Sequence, residues 1–535
     1  MESGLPLLAL LIGAVAVAAL ARRYGVSAPL ILVVAGLGVS YLPGVPDYTL
    51  DPDVALLLFL PPLLYSAALE SSYVGIRANL RPIGLLSIGA VLFTTALVGL
   101  TVYALLPDLG MPLSFALGAI VAPPDAVAAT SIGRRVGLPR RMVTILAGES
   151  LVNDATALTA YRVAVAAALG GTFSLLSGIG QFLFAAVGGV AIGLVVAYLV
   201  TGLNRLLRDP LVENTTALLT PFVAYLAAEN EYVHTSGVLS VVVAGLFIGH
   251  RAPRQSSYAT RLQSRSVWRM VDFLLESVVF ALIGLQLRSV VDALDAGDRS
   301  PGRLIWVAVL TTVVVILGRF VWVFPATYLP RRFSSKIAQR DPSPTWQVPF
   351  VLSWAGMRGV VSLAAAFGLP LTLDDGTPLP GRDIVLFITF VVVITTLVLQ
   401  GFTLPGLIRR LGIVAAETAA DNLAEAGAQQ SAADAALARL DDLLAVATEH
   451  VPDDVVNRLR ERAELRALQA WERLGDSGPD RVETPQDAYR RLRREMLAVE
   501  RRIFVELRDT GRIDDEVLRR VQEELDLEEA ILARD

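Results

Sequence analysis

Four polar side chains, Glu149, Ser150, Asn153 and Asp154, interrupt an apolar stretch that covers residues 142–168. An ionisable group at bilayer depth costs about 2.5–3.5 kcal/mol or more, so its presence there indicates a function. Ser150 lies four residues before Asp154 and three before Asn153, which places these three on one face of a helix. A hydroxyl, an amide oxygen and a carboxylate are hard oxygen ligands. The pattern therefore favours binding of a small cation or a proton.

A second carboxylate, Asp125, directly follows Pro123 and Pro124 in another apolar stretch. Proline removes a backbone donor and clashes with the preceding turn, so a helix should break at this point. Two carboxylates that face one cavity repel each other, and either one proton or one cation relieves the repulsion. Competition for one site is the simplest physical basis of coupled exchange. We therefore predict that Asp125 and Asp154 act together in function rather than as structural groups.

The remaining buried charges suggest structural roles. Glu149 is five residues from Asp154 and points to a different face, and Arg358 is the sole cation in its apolar stretch. Because an unpaired buried charge is costly, we predict a structural ion pair between Glu149 and Arg358 rather than cation binding by either. Gly356 and Gly359 flank Arg358 and predict a second helix break, such as transporters with inverted repeats contain.

Two more acids, Asp272 and Glu276, lie four residues apart on one predicted helix face. Arg162 and Arg319 are candidate partners for them, and the sequence does not say which pairs with which. For both acids we expect a structural or gating role rather than ligation.

The elements that position these residues are about thirteen apolar stretches, each wide enough to span a bilayer when tilt and breaks are allowed. The fifth and twelfth carry the two breaks. The predicted spans are 4–21, 28–42, 52–69, 82–106, 111–131, 142–168, 175–203, 212–229, 235–249, 270–287, 304–329, 346–370 and 384–408.

The cationic residues outside the spans give an orientation. With the N-terminus outside, 21 of them fall on the cytoplasmic side and four (Arg288, Arg299, Arg303 and Arg382) on the external side. This bias predicts an external N-terminus and a cytoplasmic C-terminus in a multi-pass membrane protein. Residues 1–411 carry a net charge of +6 and residues 412–535 one of −11, from 18 basic and 29 acidic residues. We therefore predict a transmembrane domain at 1–411 and a cytosolic acidic helical tail domain at 412–535.

Three stretches, APPDAVAATSIGRRVGLPRR, GESLVNDATAL and GMRGVVSLAAA, occur in this order within residues 1–410. Together they resemble the bacterial sodium/proton exchangers of the monovalent cation/proton antiporter superfamily. The resemblance implies an all-α membrane fold of thirteen spans, with inverted repeats and two crossed broken helices. It also implies a homodimer and alternating access, in which a core moves against a dimerisation domain.

The resemblance assigns roles as well. Asp154 would be the principal cation and proton carboxylate, and Na⁺ would bind Asp154, Asp125 and Ser150 with Asn153 beside them. Glu149 and Arg358 would form the structural ion pair. An Asn-Asp pair at this position resembles the electroneutral branch, which exchanges one proton for one sodium ion. No cofactor is implied beyond the transported ions.

The chain departs from its relatives at two places. Many relatives have Thr-Asp-Pro in the broken fifth span, where this chain has Pro124, Asp125 and Ala126. A threonine ligand is therefore missing, and a backbone carbonyl such as that of Pro124 could replace it. Some relatives have an acid in the third span where this chain has Ser66, which puts a third carboxylate ligand in doubt.

We therefore expect an antiporter, not an enzyme, that exchanges cytoplasmic Na⁺ for external H⁺. Antiport of K⁺ or Li⁺ stays open, because the same ligand types suit these ions. A cation channel fits less well, because the chain lacks a carbonyl-ring filter of the Thr-Val-Gly-Tyr-Gly type. A membrane-embedded hydrolase using Ser150 lacks a histidine or lysine base in a nearby span. The lipid bilayer and a second copy of the chain are the expected partners, and no nucleic acid is.

Overall fold

The computed structural model divides the chain into two compact units, Met1–Val414 and Ala415–Asp535. Ala126 lies outside the residues that the structure describes. These are 4–24, 28–43, 45, 52–125, 129–130, 133, 136–169, 175–207, 209–230, 232–233, 235–295, 301–372, 377–413, 417–446, 451–475 and 485–532.

The first unit is built from helices, and a helix or a pair of half-helices lies at each stretch for which the sequence predicts a span. They are α1 (Gly4–Arg23), α2 (Ala28–Ser40), α3 (Pro52–Glu70), α4 (Tyr73–Ala78), α5 (Leu80–Gly84), a π-helical segment (Leu85–Ala90), α6 (Val91–Leu105), α7 (Met111–Val121), α8 (Arg140–Ala168), α9 (Leu175–Leu207), α10 (Pro210–Ala228), α11 (Gly237–Gln255), α12 (Tyr258–Asp295), α13 (Pro301–Phe333), α14 (Ser335–Arg340), α15 (Gln347–Trp354), α16 (Val360–Phe367) and α17 (Arg382–Leu411).

Within the described residues, five helices are long and apolar enough on their own to cross a membrane. Large apolar side chains on them face outward, for instance Leu199, Val195 and Leu317. Such a surface is costly in water and is typical of a protein that sits in lipid. The five are Leu80–Leu105, Gly180–Leu207, Pro210–Ala228, Gly302–Phe333 and Arg382–Leu411.

The two predicted helix breaks are confirmed. Helix α7 ends at Val121, two residues before the proline pair. Helix α15 ends at Trp354 and α16 begins at Val360, so the segment that contains Arg358 is not helical. Each break leaves backbone carbonyls without partners in the helix, and these must be satisfied by other groups.

The helices of the first unit form two bundles. Helices α1–α3 and α9–α12 pack mostly among themselves and form the first bundle. The second bundle consists of α5–α8, α13 and α15–α17, and it contains both broken spans. Close approach of backbones tightens the first bundle: a Cβ atom on Gly284 of α12 would lie 2.3 Å from the carbonyl oxygen of Val33 on α2.

The second unit contains α18 (Glu417–Val446), α19 (Asp453–Gly475), α20 (Pro485–Asp509) and α21 (Asp515–Leu532). Helices α18 and α19 pack against each other, as do α20 and α21. Leu497 of α20 is buried with Leu525 and Leu532 of α21 in a small core. Arginines of α20 bind acids of α21, so the pair is held by charge at the edge of an apolar contact.

Candidate cation site

The two helix breaks lie against each other. The backbone N–H of Asp125 donates to the carbonyl of Met357 at 2.6 Å, which joins one helix break to the other. The side chain of Asp125 packs directly on Gly359, which has no side chain to displace it. Irregular backbone at this depth thus finds its partners within the protein, as the low dielectric of a bilayer requires.

Arg358 holds the end of α7. Its side chain is 1% exposed, and its Nε donates to the carbonyl of Val121 at 2.9 Å. Its guanidinium also donates to the carbonyls of Gly356 and Ala122. The guanidinium therefore satisfies carbonyls that the broken helix leaves free, and it places a positive charge at the negative end of the helix dipole. The backbone N–H of Arg358 donates to Oγ1 of Thr396 on α17 at 3.1 Å.

The predicted ion pair between Glu149 and Arg358 is wrong, because Glu149 binds Arg319 instead. Nη1 and Nη2 of Arg319 donate to the two carboxylate oxygens at 2.6 and 2.7 Å. Nε of Arg319 donates to the carbonyl of Leu352 at the end of α15. Both groups are at most 3% exposed. The physical reason is the availability of hydrogen-bond donors. The guanidinium donors of Arg358 bind backbone carbonyls at the helix breaks, whereas Nη1 and Nη2 of Arg319 can both bind the carboxylate.

Asn153 connects α8, the helix that carries Asp154, to the break that follows α7. Its Nδ2 donates to the carbonyl of Pro124 at 2.6 Å, so the proline carbonyl anchors α8. The Oδ1 atom of Asn153 is buried and accepts no hydrogen bond from the described residues. A buried amide oxygen without a donor is costly, unless an ion, a proton donor or water meets it.

Asp154 is 6% exposed, lies next to Asn153 on α8, and interacts electrostatically with Asp125. Ser150, one turn earlier, is partly buried. The structure therefore brings both predicted carboxylates and the predicted amide to the place where the helices break. All of these residues belong to the second bundle.

Two acids of the first bundle, Asp272 and Glu276, lie one turn apart on α12. Oδ2 of Asp272 on α12 accepts a hydrogen bond from Oγ of Ser66 on α3 at 2.6 Å. Glu276, one turn later, interacts electrostatically with both Asp125 and Asp272. The contact between Ser66 and Asp272 could not be predicted from the sequence, because the two residues are 206 positions apart. A serine in the third span thus contacts a carboxylate supplied by α12.

The two arginines considered as partners of these acids bind elsewhere. Arg319 binds Glu149, as described above. Nη2 of Arg162 donates to both carboxylate oxygens of Glu229 at 2.8 Å. Glu229 ends α10 and also accepts from the backbone N–H of Gly237, so it connects α8 of the second bundle with the α10–α11 turn of the first.

A broken helix that meets another broken helix around buried carboxylates is the arrangement of secondary transporters. Comparison with known proteins agrees with this class. The model of the sodium/hydrogen exchanger transmembrane family matches residues 7–410. The chain belongs to this sodium/hydrogen exchanger family, and so to the cation/proton antiporters.

Several relatives are similar over much of the chain. A protein of Mycobacterium tuberculosis H37Rv, named an uncharacterized Na⁺/H⁺ exchanger, is 36% identical over 99% of this chain and 96% of its own length. A sodium, potassium, lithium and rubidium/H⁺ antiporter of Bacillus subtilis is 33% identical over 70% of this chain and 57% of its own length. The solved structure of the sodium proton antiporter of Methanocaldococcus jannaschii at pH 8 has the same fold, with a TM-score of 0.59. The two sequences are 18% identical, and the match covers 76% of this chain and 98% of that one.

Proposed function

We propose that the protein exchanges cytoplasmic Na⁺ for external H⁺ by alternating access, with one proton moved per sodium ion. The observation that carries the proposal is the meeting of Asp154, Asp125 and Asn153 at the two helix breaks. Two carboxylates that interact in a low-dielectric site cannot both stay charged without a counter-ion. A sodium ion or a proton supplies the missing charge, and binding of one disfavours the other.

Each residue of the site has a proposed role. Asp154 exchanges the ion and the proton, and Asp125 shares the charge. Ser150 and the carbonyl of Pro124 supply neutral oxygens for Na⁺. Asn153 holds α8 against the first break through Pro124, and its unpartnered Oδ1 completes the ligand set. Glu149, Arg319 and Arg358 are positioning residues, because they bind one another or the backbone and keep the breaks in place.

The two bundles supply the parts of an alternating-access carrier. In our proposal the second bundle carries the ion site and moves against the first, which carries Asp272 and Glu276 beside the path of the ion. The proposed topology has thirteen spans with inverted repeats, the N-terminus outside and the tail of 412–535 in the bacterial cytoplasm. A homodimer through the first bundle would give the moving part a fixed frame.

Exchange of K⁺ with H⁺ is the second candidate. It is favoured by the names of the Bacillus subtilis and Bacillus pumilus relatives, which include sodium, potassium, lithium and rubidium. Carboxylate, amide and hydroxyl oxygens suit each of these ions. Selectivity depends on the size and stiffness of the site, which differ between members of one fold.

The test uses purified protein in liposomes that enclose a pH-sensitive dye, with NaCl, KCl, LiCl and RbCl added in turn. We expect sodium to drive proton movement, and the order of rates to separate the two candidates. Asp154→Asn removes the exchangeable charge and should abolish movement with every cation. The matched control is Asp442→Asn, the same change at a tail carboxylate that is 72% exposed. Normal exchange by Asp154→Asn would overturn the proposal.

A further inference from the structure

Helix α20 of the tail has an apolar face that no other described element covers. Five large side chains on it are between 48% and 56% exposed: Tyr489, Leu492, Met496, Val499 and Ile503. Their spacing alternates between three and four residues over two heptads. This is the a/d spacing of a coiled coil, in which the seam stays on one side of the helix. We call these five residues the α20 seam.

The seam is distinct from the face that packs on α21. Leu497 is 1% exposed and, with Phe504, points into the small core shared by α20 and α21. Arg493 binds Glu528 and Arg501 binds Glu529 along the same side. At 100° per residue, Leu497 lies about a third of a turn from the centre of the seam. Helix α20 therefore has one apolar face that packs on α21 and a second apolar face, the seam, that no other described element covers.

The charges beside the seam alternate in sign, which argues against an anionic membrane surface as its cover. Glu495 and Arg502 lie along one edge of the seam, and Arg493 and Glu500 lie along the other. An amphipathic helix that lies on a bilayer has basic residues at these edges, because anionic lipids repel acids. The same pattern of charge suits a protein helix of matching sequence.

We propose that the α20 seam binds the α20 seam of a second copy of this chain, as an antiparallel coiled coil around a two-fold axis. In this register Met496 packs on Val499 of the partner subunit, and Leu492 packs on Ile503 of the partner subunit. With Met496 and Ile503 at a positions, Glu495 and Arg502 lie at g positions. Residues at g positions face each other in an antiparallel pair, so Glu495 meets Arg502 of the partner subunit. The two-fold axis repeats each contact, which gives a closed interface.

Charge selects the antiparallel orientation. In a parallel pair, a g residue faces the e residue five positions later in the partner, which would place Glu495 against Glu500 of the partner subunit. Two like-charged pairs would result. The antiparallel pair has two opposite-charged pairs instead. Because the chain has no cysteine, engineered cysteines can report the orientation without background.

The test uses the full-length chain in membranes, with Leu492→Cys and Ile503→Cys variants on differently tagged copies. The antiparallel register predicts disulfide cross-links only when the two variants are mixed. Positions 492 and 503 are about 16 Å apart along one helix, so neither variant should cross-link with itself. A parallel pair predicts the opposite result, with cross-links in each variant alone. Ala498→Cys is the control, since it is exposed on the far side of α20.

Charge variants make the test specific. In the mixed cysteine pair, Glu495→Arg brings two arginines together and should abolish the cross-link. Adding Arg502→Glu to the same copies restores opposite charges and should restore it. Three results would each overturn the proposal. The first is self-cross-linking of either variant, and the second is equal cross-linking at Ala498→Cys. The third is protection of Leu492→Cys from a thiol reagent in the monomeric protein, which would show that helices of the same chain cover the seam. Ion exchange is not part of the readout, so the seam and the proposed function succeed or fail separately.

Discussion

The carboxylate of Asp125 occupies the space in which a side chain of Gly359 would begin. A Cβ atom on Gly359 would lie 1.9 Å from Oδ2 and 2.5 Å from Cγ of Asp125. The carboxylate of Asp125, which belongs to the other broken span, can therefore lie here only because residue 359 has no side chain. The two breaks can carry one site because one of them lacks a side chain at the contact.

Gly359→Ala should abolish sodium-driven proton movement while the protein still reaches the membrane. The methyl group must displace the carboxylate of Asp125, since contacts under 3.0 Å do not occur between real atoms of this kind. Proton movement in liposomes measures the effect. The matched control is Gly401→Ala, where the nearest atom to the new Cβ is Sδ of Met357 at an ordinary 3.6 Å. Equal loss in both variants would show that the contact with Asp125 is not the cause.

Exchange should not respond to the membrane potential if one proton is moved per sodium ion. A net charge per cycle would add about 2.3 kcal/mol for each 100 mV across the membrane. A potassium gradient with valinomycin sets the potential in liposomes, and the sodium-driven rate is measured at each value. A rate that follows the imposed potential would refute the one-to-one ratio without contradicting the proposed ion site.

Loss of Arg319 should destabilise the protein strongly, because Glu149 would stay buried without a partner. Removal of one member of a buried pair costs about 3–5 kcal/mol, whereas a half-exposed pair contributes about 0–1 kcal/mol. Thermal unfolding in detergent should therefore show a large fall for Arg319→Leu and a small one for Arg162→Ala, whose side chain is 52% exposed. Adding Glu149→Leu to Arg319→Leu should recover stability. No recovery would show that Arg319 acts mainly through the carbonyl of Leu352.

Local chemistry explains which parts of this arrangement the sequence predicts. Pro123 and Pro124 end α7 through their own backbone, and Asp154 is out of place in an apolar helix whatever surrounds it. Both features are visible within a few residues of chain. The resemblance to the antiporter family rests on three short stretches, two of which contain these same residues.

The pairing of buried charges could not be predicted in the same way. Arg319 and Arg358 are both buried cations in apolar stretches, and the sequence does not show which of them has guanidinium donors available for a carboxylate. The donors of Arg358 are used by backbone carbonyls at the end of α7, including that of Val121, which is 237 residues from Arg358. The contact of Ser66 with Asp272 likewise depends on how α3 and α12 pack. Short-range patterns locate the groups, and tertiary packing chooses their partners.

A cross-link between positions 162 and 229 should stop exchange, because Arg162 and Glu229 connect the bundle that carries the proposed ion site with the other bundle. The chain has no cysteine, so a double variant with Arg162→Cys and Glu229→Cys contains two thiols and no others. A bifunctional thiol reagent with a reducible spacer then fixes the distance between the bundles at this point. If the second bundle must move against the first, proton movement in liposomes ceases on cross-linking and returns on reduction. Each single-cysteine variant with the same reagent is the control, and full activity of the cross-linked protein would rule out relative movement of the bundles at this point.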